Sequence, residues 1–172
     1  SLTPFLKEGD NCIAVKVDQS KPLTGRWYTG SGIYRHVRLN ISSLVHIAYL
    51  GISFQVDTFL SDKAVCSIGV SIVNPGKEKV RVVSCLQDTD GRVVVWTTGS
   101  ESGSAENKVE MSVTFPERWS PENPVVYTLV CKLEKEGKVL DEVQQFVGFR
   151  SLEFSPEFGF KLNGKVTKLK GV

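Results

Sequence analysis

The chain has 172 residues, 41% hydrophobic and 23% charged, an ordinary balance for a globular protein with length enough for one good core. Lys and Arg number 21 against 19 Asp and Glu, and the net charge of +2 gives no electrostatic footprint for nucleic acid or an anionic membrane. No apolar run approaches the ~20 residues that span a bilayer, and no signal peptide is recognisable.

The first elements in chain order are two strand-like runs, "NCIAVKVD" (Asn11–Asp18) and "IYRHVRLNI" (Ile33–Ile41), joined by the aromatic, glycine-rich stretch "RWYTGSG". In the second run Ile33, Val37, Leu39 and Ile41 share one face at period two, and Arg35 sits in phase with them. An arginine on an apolar face must be paired, so Arg35 is expected to tie a carboxylate or carbonyl cluster between neighbouring elements. Gly30 and Gly32 are expected to supply backbone conformations closed to other residues.

From Leu44 onward nearly everything reads as strand: VHIAYL, ISFQV, AVCSIGVSIV, KVRVVSCLQ, RVVVWTT, KVEMSVTF, VVYTLVCKLE and VLDEVQQFV. The turn signals "NPGKE", "DTDGR", "GSESGSAEN" and "EKEGK" separate most of them. Ala64, Cys66, Ile68, Val70 and Ile72 alternate against Val65, Ser67, Gly69, Ser71 and Val73; Val109, Met111, Val113 and Phe115 form a second apolar row. No stretch holds a 3.6-residue period. The fold class is therefore all-β, an immunoglobulin-like sandwich with extra strands at both ends. The antibody hallmarks are missing: no Trp follows Cys66 at the expected strand, and Tyr127 is not two residues before Cys131.

Cys12, Cys66, Cys85 and Cys131 are scattered, with no CxxC pair and no histidine at zinc-ligand spacing. His36 and His46 fall on separate predicted strands. The expectation is four free thiols, no metal site and no cofactor. In "RWSPENPVVY", Pro121 and Pro124 stiffen a connection, and Trp119 is a large apolar anchor where the chain crosses between sheets. "FGFKLNGKVTKLKGV" reads as a hairpin around Asn163-Gly164 that stops in mid-run, so the chain is expected to be a piece of a larger protein.

The order of these motifs resembles glycoside hydrolase family 2, the β-galactosidase, β-glucuronidase and β-mannosidase group, most closely its β-galactosidase-like, bacterial members. "SLTPFLKEGDNCIAVKVD" and "RWYTGSGIYRHVRL" are similar to the end of that family's jelly-roll sugar-binding domain. "VHIAYLGISF" and "RWSPENPVVYTL" resemble the start and late part of its middle sandwich. "VGFRSLEFSPEFGFKLNGKVTKLKGV" resembles the lead-in and first strand of its TIM barrel. The resemblance implies three parts: residues 1–42 from the jelly-roll, 43–149 the sandwich, and 150–172 the start of the barrel.

It also implies where catalysis is not. Retaining glycosidases use two carboxylates about 5 Å apart, and in this family both come from later barrel strands. Asp88 and Asp90 flank a turn, Glu134 and Glu136 sit beside another, and Asp141 and Glu142 point to opposite faces of a strand. The chain by itself is expected to be inactive, a scaffold within a parent that cleaves terminal β-glycosides, β-galactosides first. The jelly-roll lends a loop to the active-site rim in many relatives, which makes Arg26, Trp27 and Tyr28 candidates for sugar contact. Arg26 stands near where some members carry a substrate-contacting Asp. The same aromatics would also serve as packing between domains. The partners implied are the rest of the parent enzyme and its carbohydrate, with self-association through residues 1–41 also open. The alternative is a free-standing immunoglobulin-like module that binds a glycan or a protein.

Overall fold

The computed structural model describes residues 2–18, 20 and 31–171. It divides into two compact units, Ser1–Asn40 and Ile41–Val172.

In the first unit a 3-10 turn covers Thr3–Phe5. Asn11 then closes the next turn: its Oδ1 accepts the Lys7 N–H at 2.8 Å, and its Nδ2 donates to the carbonyls of Lys7 and Gly9 at 2.8 and 2.9 Å. The expectation of strands over Asn11–Asp18 and Ile33–Ile41 is not met, because among the described residues neither run pairs with anything. Ile13, Val15 and Val17 stand exposed, as do Val37, Leu39 and Ile41. A strand is a property of a ladder, and alternation without a partner for each N–H and C=O leaves only extended chain.

Among the described residues the second unit is built from ten strands: β1 His46–Phe59, β2 Lys63–Val73, β3 Arg81–Gln87, β4 Val93–Thr98, β5 Glu106–Thr114, β6 Tyr127–Lys135, β7 Lys138–Val147, β8 Leu152–Ser155, β9 Gly159–Leu162 and β10 Lys165–Val166. Three sheets result, ordered β1-β2-β5, β4-β3-β6-β7 and β10-β9-β8. The first two face each other as an immunoglobulin-like sandwich. Its fourth strand pairs with the third instead of the fifth, so it lies in the sheet opposite to that of the constant-type arrangement.

The predicted alternation of β2 holds along its whole length: Ala64, Cys66, Ile68, Val70 and Ile72 are all buried. Val109, Met111 and Val113 from β5, Val82 and Leu86 from β3, and Leu129, Cys131 and Leu133 from β6 complete the core. Phe115 departs from the expected row. It lies past the end of β5 at φ 45°, its N–H held by the Asp62 carbonyl at 2.8 Å, and its ring is exposed. Once the ladder ends, the period-two face no longer dictates direction.

"VHIAYL" and "ISFQV", read as separate strands, are one strand of 14 residues with a bulge inside it. Ile47 pairs with Ile72 and Ile52 with Val70, so residues 48–51 face Ser71 alone. Leu50 takes φ 55° to make this turn. A Cβ at Gly51 would come within 2.7 Å of the Ala48 carbonyl oxygen and 2.8 Å of the Ser71 carbonyl oxygen, so only glycine passes there. The two sheets are joined at this edge by Asp141 of β7, whose Oδ2 accepts the Ile47 N–H at 2.8 Å.

Candidate functional site

At one end of the sandwich three separate segments converge: the loop before β6, the chain leaving β7, and the β9–β10 turn. Phe149 anchors them. It is fully buried, and its ring meets those of Phe54 and Tyr127 edge-on, at centroid distances of 5.6 and 5.1 Å. Tyr127 in turn accepts the backbone N–H of Glu117 on its Oη at 3.0 Å. The sequence offers no tyrosine-corner spacing, yet this side chain pins the preceding loop to the core in a related manner. Arg118 forms a parallel bridge with Phe149 and lays its guanidinium 4.3 Å from the Phe59 ring centroid.

Trp119 is half-buried at the centre of the convergence. Its N–H donates to the Phe149 carbonyl at 2.8 Å, and its own carbonyl accepts from Asn163 Nδ2 at 2.9 Å. The Arg150 guanidinium lies 5.3 Å from its ring centroid, and a Cβ on Gly148 would touch Trp119 Cβ at 3.4 Å. Pro121 begins a tight turn in which Ser120 and Asn123 exchange backbone hydrogen bonds, and Pro124 leads on towards β6; both prolines are exposed.

The other sequence candidates fall on the first unit. Arg26, Trp27, Tyr28 and Gly30 lie outside the described residues. Gly32 has φ 118°, in the region that favours glycine, and is exposed. Arg35 is exposed and meets no carboxylate among the described residues; its guanidinium lies over the neighbouring Tyr34 ring at 5.4 Å. Ile33–Ile41 is not assigned as strand and its side chains are exposed, so the ion pair expected of a buried arginine has no cause to form.

All four cysteines are free. Burial pushes the Cys66 thiol up to about 12, with the Asp57 carboxylate adding to the rise. Burial likewise raises Cys131, against a hydrogen bond with Ser84, and raises Cys85 against the nearby Lys132 charge. These thiols stay protonated at neutral pH. Several carboxylates are occupied in structural bonds. Asp88 Oδ1 accepts the N–H groups of Asp90 and Arg92, both at 2.9 Å. Glu78 pairs with Lys135 at 2.8 Å. Glu142 is held below the usual carboxylate range, first by the Gln144 amide and then by Lys132. Among the described residues no group of three or more His, Cys, Asp or Glu could hold a metal ion.

The fold and the convergent end define an immunoglobulin-like sandwich with a small sheet fastened to its base. Residues 45–150 match the family described as Glycosyl hydrolases family 2, and the chain belongs to that family. A β-galactosidase, BoGH2A, of Bacteroides ovatus is 35% identical over 99% of this chain, which covers 21% of that protein. A β-galactosidase of Halalkalibacterium halodurans is 32% identical over 99% of this chain and 17% of its own length. Among solved structures, a β-glycosidase from Bacteroides vulgatus superposes with a TM-score of 0.85 at 40% identity, covering 99% of this chain and 22% of that one. The chain thus spans about a fifth of the length of such relatives.

Proposed function

We propose that this chain is the non-catalytic middle of a larger family 2 glycosidase. In this reading residues 1–42 end a jelly-roll sugar-binding domain, 43–149 form the sandwich, and 150–172 lead into a TIM barrel. The parent hydrolyses terminal β-glycosides with retention, β-galactosides first. The sandwich holds the sugar-binding domain against the barrel, so that the rim segment with Arg26, Trp27 and Tyr28 meets substrate, while Gly30, Gly32 and Arg35 belong to the junction behind it. The observation that carries the reading is the convergence at Trp119, which ties the exit of the sandwich to the sheet that follows it. The carboxylates held in structural bonds support inactivity of the chain alone, because a retaining glycosidase needs two of them about 5 Å apart in one cleft.

Purified chain is expected to release no nitrophenol from β-galactoside, β-glucuronide or β-mannoside substrates above the buffer blank. Heat-sensitive turnover of any of the three would overturn the scaffold reading. A second reading, a free-standing glycan- or protein-binding module, is favoured by one feature: Trp96 on edge strand β4 is 66% exposed, opposite Cys85 in the ladder. Binding of the chain on a glycan array, lost in Trp96→Ala, would select it.

A further inference from the structure

We infer that Asn163 is a positioning residue: a latch that makes the sandwich and the β8–β10 sheet one rigid body and so fixes the direction in which the chain leaves β10. Its value to a catalytic barrel rests on the scaffold reading above; the latch itself is a matter of this chain's own geometry.

Three hydrogen-bonding groups of Asn163 reach neighbouring segments. The backbone N–H donates to the Ser151 carbonyl at 2.9 Å. The side-chain Oδ1 accepts the Ser151 N–H at 3.0 Å, and Nδ2 donates to the Trp119 carbonyl at 2.9 Å. The amide cannot be turned over, since Ser151 N–H can only donate and the Trp119 carbonyl can only accept. The backbone N–H of Trp119 itself donates to the Phe149 carbonyl at 2.8 Å. One side chain thereby joins the β9–β10 turn to the loop before β6 and to the chain leaving β7.

The residue type answers three demands at once. Asn163 and Gly164 have φ of 51° and 79°, and Leu162 pairs with Lys165, the two-residue hairpin turn that requires positive φ at both positions. Asparagine tolerates that region better than other residues with side chains, glycine excepted, and has both a donor and an acceptor at the right reach. Glycine would keep the turn and lose both side-chain bonds. Aspartate would keep the acceptor for Ser151 and set a second oxygen against the Trp119 carbonyl. Apart from Leu162, which is buried, the small sheet presents largely exposed side chains, including Leu152 and Phe154, so apolar packing alone gives it little hold on the sandwich.

The test uses the whole 172-residue chain, as wild type, Asn163→Gly and Asn163→Asp, isotopically labelled for NMR. Residual dipolar couplings from β2, β3 and β6 define one alignment tensor, and those from β8 and β9 a second. In the wild type the two coincide. In both variants they are expected to diverge; in Asn163→Gly amide exchange at position 163 and at Ser151 is expected to quicken about ten- to hundredfold, the scale of one or two lost hydrogen bonds, while in both variants exchange in β2, β3 and β6 is unchanged. A common tensor in Asn163→Gly would overturn the latch. So would loss of protection throughout the sandwich in either variant, because Asn163 would then support the fold at large instead of an orientation. Turnover plays no part in these readouts, so failure of the scaffold reading and failure of the latch are distinguishable.

Discussion

Phe149→Ala is expected to be the most damaging single truncation at the base of the sandwich. The side chain is 0% exposed and lies edge-on to both Phe54 and Tyr127. Emptying such a site costs about 3–5 kcal/mol, counting lost transfer free energy and the cavity left behind. Refilling is hindered because Phe54 and Tyr127 come from different sheets and Tyr127 is held by the Glu117 N–H. A domain of this size has a total stability of about 5–15 kcal/mol, so the variant should fold but melt far below the wild type. The control is Phe146→Ala, a chemically identical change three positions earlier in the chain. Phe146 is 76% exposed on the outer face of β7, opposite Thr128, and its removal should change stability by no more than about 0.5 kcal/mol. Urea titrations followed by far-ultraviolet circular dichroism give both values. Equal costs for the two variants, or a Phe149 cost below about 1.5 kcal/mol, would refute the packing argument.

The thiols make a prediction with a definite sign. Cys66 has a folded-state value of about 12, raised above that of an unfolded chain, so its stabilising contribution is complete below about pH 9 and is lost as pH rises towards 12. Urea midpoints should therefore fall over that alkaline window, less steeply in Cys66→Ala after allowing for its lower starting stability; an identical slope would refute the assignment. At pH 8 a thiol reagent should modify exposed Cys12 quickly and buried Cys66 and Cys131 only on unfolding, and mass-mapped labelling in any other order would count against it. Residues 1–41 should drive self-association at high concentration through the exposed faces of Asn11–Asp18 and Ile33–Ile41. Light scattering should find the shortened chain monomeric, and a full chain monomeric at millimolar concentration would refute that pairing.

Much of the sandwich was legible from residue order alone. The alternation of Ala64, Cys66, Ile68, Val70 and Ile72 named the buried face of β2, and the Gly- and Asp-rich turns marked most strand ends. The Asn163-Gly164 hairpin was equally plain, because positive φ at two adjacent positions is a demand that few residue pairs meet. These are local properties: each residue carries its own solvation and backbone preference wherever the chain runs. What the sequence could not decide was non-local. Phe146 and Phe149 are the same residue type on one short stretch, yet one faces water and the other fills the core. Arg35 reads as buried because its row is apolar, and it is exposed because among the described residues no strand pairs with that row. Nothing around Trp119 or Asn163 predicts that each would be the other's hydrogen-bond partner across 44 positions of sequence. Burial and partnership depend on which segments meet, and that was decided only when the sheets closed on each other and brought distant peptide groups within bonding distance.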